Sequence, residues 1–93
     1  MKLSVITLTL NKLEYTKKFI KSLQKYTKDF ELIIVDNGST DGTVEYLESL
    51  DFIKLIKNSE NKGFSAGNNQ GIAIAEGEYI GFLNNDILHL FLN

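Results

Sequence analysis

The chain has no cysteine, no arginine, one histidine, and no apolar run long enough to cross a bilayer. Each absence removes a class of chemistry. Without cysteine there is no disulfide framework and no thiolate nucleophile or metal ligand. That fits a reducing compartment, and the cytoplasm is the expected location. Without arginine, phosphate can be met by ammonium groups, backbone amides or a metal, but not by a bidentate guanidinium. His89 has no partner cluster and reads as incidental. A membrane-spanning helix needs about 20 apolar residues, and nothing here approaches that length. Leu3–Leu10 could pass for a short signal core, yet no small-residue cleavage site follows it. Asn37-Gly38-Ser39 is formally a glycosylation sequon, discounted for want of a secretion signal.

What is present suits one small globular domain. The 93 residues are 43% hydrophobic and 24% charged, and a chain of this size buries roughly 60–68% of its unfolded surface. The net charge of −2 hides an asymmetry. Residues 1–28 hold seven lysines against Glu14 alone, whereas the remainder holds three lysines and eleven acids. A run of lysines on one helix face is most simply a solvated face.

Periodicity divides the chain into alternating elements. Ser4–Leu10 reads as a strand and Leu13–Tyr26 as a helix. At 100° per residue, Leu13, Phe19, Ile20, Leu23 and Tyr26 share one side of it and Lys17, Lys18, Lys21, Lys25 and Lys28 the other. Glu31–Val35 is a continuous apolar run suited to a strand buried on both faces. Ser39, Thr40 and Asp41 are competent caps for a second helix with a Val44, Leu47, Leu50 stripe. Phe52–Ile56, Ser65–Ala75 and Glu78–Leu83 then read as strand, Gly-rich helix and strand. The order βαβαβαβ predicts an α/β fold, a mostly parallel sheet flanked by helices, in a single domain over residues 1–93.

In open parallel sheets, ligands bind outside the carboxyl ends of the strands, where strand order reverses. Three strand ends here are polar: Thr9-Leu10-Asn11, Asp36-Asn37 and Asn84-Asn85-Asp86. Alone, Asp36-Asn37-Gly38 is a good turn, and Asn84-Asn85-Asp86 could be a loop opening. Gly63, Gly67 and Gly71 recur at every fourth residue, which favours close helix packing. The combination is more specific than any one part. "SVITLTLN", "VDNGSTDGT", "NKGFSAGNNQG" and "GFLNND", in this order, resemble the inverting family-two glycosyltransferases with the GT-A fold, from about Leu3 to Asp86.

That resemblance implies roles. Asp36 would accept a hydrogen bond from the ring imide of uracil or thymine, since an ionised carboxylate offers only acceptors. Thr9, Leu10, Asn11, Asn37, Gly63, Asn68, Asn84 and Asn85 would line the rest of a site for a nucleotide-diphospho-sugar, a UDP- or dTDP-sugar. Asp86, last in the DxD-like triplet, would hold Mg²⁺ or Mn²⁺ against the diphosphate. Leu10 stands where the family often has an aromatic ring, Asn84 where the first Asp of DxD is usual, and Asn68 where arginine is frequent. "GFSAGNN" followed by "LNND" is closer to a rhamnosyltransferase-like branch. The family's general base and acceptor region, for a saccharide or lipid-linked acceptor, lie downstream of the DxD position, and only "ILHLFLN" follows here. The expectation is a truncated, donor-binding half of the fold, with a non-catalytic nucleotide-sugar-binding or assembly module as the alternative. Self-association, as a homodimer through Leu88, Leu90, Phe91 or Leu92, is expected of the apolar tail. Neither a nucleic-acid partner nor a membrane span is expected.

Overall fold

The computed structural model describes residues 2–83. Within them the order is β1 (Leu3–Thr9), α1 (Leu13–Tyr26), β2 (Phe30–Asp36), α2 (Thr43–Glu48), β3 (Ile53–Lys57), α3 (Phe64–Ile74) and β4 (Tyr79–Phe82). The four strands form one sheet in the order β3-β2-β1-β4, and every pairing is parallel. The chain steps outward from β1 to β3, then returns across the sheet to place β4 beside β1. Strand order therefore reverses at β1.

The two faces of the sheet are filled differently. Val5, Leu32 and Ile34 form one core with Phe19, Ile20 and Leu23 of α1 and Leu47 of α2. On the other face α3 lies close to β1. A Cβ at Gly67 would fall 2.7 Å from Leu8 Cδ2, and one at Gly71 2.7 Å from Ile6 Cγ2. The expected packing role thus holds for these two glycines. Gly63 differs: it opens α3 at φ +87 with open space around it, a left-handed conformation that glycine adopts without steric cost.

The predicted elements all form, α1 with the expected ends and the strands and α3 with ends displaced by one residue. The second helix starts differently from expectation. Gly42, at φ 94, occupies its N-cap position. Asp41 serves instead from one residue earlier, its Oδ1 accepting the Thr43 amide at 3.1 Å. Among the described residues, no helix is long and apolar enough to cross a membrane.

The amino ends of the strands are tied by an ionic cluster that the sequence reading did not single out. Glu31 is buried at the start of β2. Its Oε2 accepts the Ser4 hydroxyl and the Glu76 amide, and its Oε1 pairs with Lys54 Nζ at 2.7 Å. Burial alone would raise this carboxyl's pKa. The bonds from Lys54, Ser4 and the Glu76 amide outweigh it and lower the value to about 2. One side chain thereby joins β2, β1, β3 and the turn into β4.

Candidate functional site

At the opposite edge of the sheet, register aligns the strand ends. Thr9 pairs with Asp36, and Asp36 with Lys57. The loops that follow β1, β2 and β3 thus leave from one level. Asp36 is fully buried. Its Oδ1 accepts two backbone amides, Gly38 at 2.9 Å and Ser39 at 2.8 Å, which bends the chain sharply. Gly38 sits at φ +101, and a Cβ there would lie 3.3 Å from Glu60 Cα, so both conformation and space call for glycine. The turn reading of Asp36 is therefore correct for one of its oxygens.

The other oxygen, Oδ2, is buried and has no hydrogen-bond partner among the described residues. A buried unsatisfied acceptor costs about 1–3 kcal/mol, more when charged. Such a group calls for an explanation, and a ligand donor is one. Thr7 Oγ1 on β1 is likewise buried and unpartnered. By strand alternation Thr7, Thr9 and Asp36 project toward the α1 side of the sheet.

Asn11 joins the first two loops. It adopts φ 52. Its amide donates to Ser39 Oγ at 2.8 Å, and its Oδ1 accepts the Thr40 amide at 2.7 Å. Asp41 adds a second tie, accepting the Leu13 amide at 3.2 Å. The Thr43 hydroxyl bond, foremost, holds Asp41's carboxyl below its usual pKa against burial, and the Thr43 and Leu13 amides assist. Thr9 is turned inward, its hydroxyl 3.0 Å from that of Thr16 on α1.

Asn37 points to the α3 side and starts a network that sequence reasoning missed. Asn58 Nδ2 donates to Asn37 Oδ1 at 2.9 Å and to Gln70 Oε1 at 2.8 Å. Gln70 Nε2 returns a bond to Asn58 Oδ1 at 2.9 Å. The end of β2, the end of β3 and α3 are thus locked by three amide side chains. Asn58 is buried in a segment whose polarity alone suggests open loop, so its inward orientation had no local signal.

Of the residues expected at the site, Thr9, Leu10, Asn11, Asp36 and Asn37 therefore gather at one edge. Gly63 opens α3, and Asn68 lies half-buried on the same helix. Asn84, Asn85 and Asp86 lie outside the described residues, as do Leu88, Leu90, Phe91 and Leu92 of the tail. Among the described residues, no three His, Cys, Asp or Glu side chains cluster as a metal site. Asp86, the residue expected to hold the divalent ion, is not among them.

This arrangement, a parallel four-stranded βαβαβαβ sheet with a polar carboxyl edge, is part of a GT-A fold. S. aureus TarS in complex with UDP superposes with a TM-score of 0.82 and 32% identity over 92% of this chain and 28% of that one. A mannosyltransferase from Pyrobaculum calidifontis, in complex with GDP-Man and Mn²⁺, shares the fold at 22% identity, with a TM-score of 0.79 over 91% of this chain and 27% of its own. The profile of Glycosyl transferase family 2 matches residues 4–91. The chain belongs to that family. One relative, the GalNAc(5)-diNAcBac-PP-undecaprenol β-1,3-glucosyltransferase of Campylobacter jejuni, is 40% identical over 91 residues, covering 91% of this chain and 29% of the relative. The chain spans about a quarter of the length of several curated relatives it matches, and as little as 15% of others.

Proposed function

We propose that this chain holds the nucleotide-diphospho-sugar donor of a family 2 glycosyltransferase, with the base bound at Asp36. The observation that carries the reading is the division of labour in this carboxylate: Oδ1 builds the turn, and Oδ2 is left as a buried acceptor without a hydrogen-bond partner among the described residues. A uracil or thymine imide N–H is a donor of the matching kind. Because the carboxylate is fully buried, the loops after β1 and β2 must part for a base to reach it. Asn11, through Ser39 and Thr40, couples those two loops and would set how they open.

UDP bound by TarS supports uracil. A thymidine donor, as the rhamnosyltransferase-like pattern would require, is separated from it by competition between UDP and dTDP. A divalent ion held by Asp86 and the diphosphate belongs to the same reading, as Mn²⁺ accompanies GDP-Man in the Pyrobaculum calidifontis complex of the same fold. Bound there, it would stabilise the charge of the departing diphosphate. The acceptor is lipid-linked in this reading, on the model of the undecaprenol-linked substrate in the Campylobacter relative's name.

The test is calorimetric titration of UDP into the parent chain and Asp36→Asn. Asparagine can keep the Oδ1 acceptor but replaces the second oxygen with a donor. UDP affinity should fall by about 1.5–3 kcal/mol, the range for a bond to a charged group, and ADP should bind poorly to both proteins. Equal affinity for every nucleotide, unchanged by the substitution, would remove Asp36 from the pocket.

A further inference from the structure

The first third of the chain carries a charge that the donor site does not use. Residues 1–28 sum to +6 (seven lysines, Glu14) and residues 29–93 to −8 (three lysines, eleven acids). The structure gathers much of the positive part on one surface. Phe19, Ile20 and Leu23 of α1 are buried against the sheet, while Lys18, Lys21 and Lys25 are exposed. At 100° per residue, those three lysines and Glu14 form the outermost row of α1, directly opposite the buried side. Lys17 stands at its shoulder, within 3.9 Å of Glu14 and over the Tyr46 ring. Lys12 precedes the helix, its Nζ 5.7 Å from the ring centroid of Tyr15, an exposed residue.

We infer that the outer face of α1 is a docking surface for a bilayer carrying anionic phospholipid headgroups. Clusters of four to eight lysines on an amphipathic helix are a known basis for such attraction. Here the apolar side of the helix is committed to the core, so contact is peripheral and electrostatic, without insertion. The outermost row presents three lysines against Glu14, so a plane laid along it meets net positive charge. Nucleic acid fits less well. Nucleic-acid-binding domains are typically basic overall, whereas this chain has a pI near 5.3 and no arginine. Because α1 begins beside the carboxyl end of β1, a bilayer along it brings the loops of the donor site close to the headgroups. That is where a lipid-linked acceptor would be met, so the inference rests on the proposed transferase function.

The experiment is sedimentation of the full chain with vesicles of phosphatidylcholine, with and without phosphatidylglycerol, alongside UDP titration of the same preparations. Binding should require phosphatidylglycerol and fall with added salt. Each lysine contributes about 1 kcal/mol near such a surface, so Lys18→Gln with Lys21→Gln should lower the partition coefficient about 25-fold. Glu14→Gln should raise it, and UDP affinity should be unchanged in all three proteins. Equal binding to both vesicle types, indifference to the lysine substitutions, or preferential capture by a duplex oligonucleotide would overturn the inference. Loss of UDP binding with vesicle binding retained would overturn the donor reading and leave this surface standing.

Discussion

Two buried acids, Asp36 and Glu31, sit at opposite ends of β2 and do opposite work. Both oxygens of Glu31 are engaged, Oε2 by two hydrogen bonds and Oε1 by the ion pair with Lys54, and its effect should appear in stability. Its carboxyl falls from 4.5 to about 2 on folding. Between those values the unfolded chain binds more protons than the folded one, so the contribution is complete above about 4.5 and lost as pH falls toward 2. Melting temperature followed across that window should drop, and Glu31→Gln should flatten much of the change. A variant as acid-sensitive as the parent would show that other carboxylates control acid unfolding. Asp36, with one oxygen unpartnered, should affect ligand binding more than stability. Asp36→Asn is expected to keep or raise the melting temperature while weakening UDP. The sequence made Asp36, Asn37 and Asn11 legible, because a polar group directly after a buried strand has few purposes. Glu31, Asn58 and Gln70 were not legible. Their partners lie 12 to 45 residues away, brought near only by strand order and register. A charged residue opening an apolar strand was the one local hint for Glu31.

Among the elements, α3 shows most clearly how pattern and packing combine. Its glycines suggested close approach, and the structure divides that role unequally. At Gly71 an added methyl meets Ile6, which is β-branched and fully buried. At Gly67 it meets the end of Leu8, which is half-buried and can swing aside. Overpacking costs about 1–3 kcal/mol, offset by about 1 kcal/mol of helix propensity gained over glycine. Gly71→Ala should therefore destabilise, and Gly67→Ala should be near neutral, by denaturant titration. The reverse order would mean that α3 does not rest on β1 as described. Helix α1 was readable to the residue because its apolar and basic sides separate so cleanly. The start of α2 was not, since three adjacent residues could each cap it and only the turn at Gly42 selects among them.

For the whole molecule, the order and type of every element followed from alternating periodicity, but strand order did not. The placement of β4 beside β1 depends on which strand the last crossover reaches, and that is settled by packing of α3 rather than by any local residue. Among the described residues it leaves β4 at an edge of the sheet, with Tyr79, Ile80, Phe82 and Leu83 exposed. An apolar edge strand is prone to pair with another copy. Light scattering over a concentration series should show self-association of this 93-residue chain, weakened by Phe82→Lys. A monomer at every concentration would show that the edge is covered. The central claim, that the carboxyl edge of the sheet binds a nucleotide, is tested most directly by a ¹H–¹⁵N correlation spectrum of the chain titrated with UDP. The account predicts saturable shifts at Asn11, Gly38, Ser39, Thr40 and Lys62, with Glu31, Glu76 and Gly77 at the far edge unmoved. Shifts confined to the far edge, or none at all up to millimolar UDP, would contradict it.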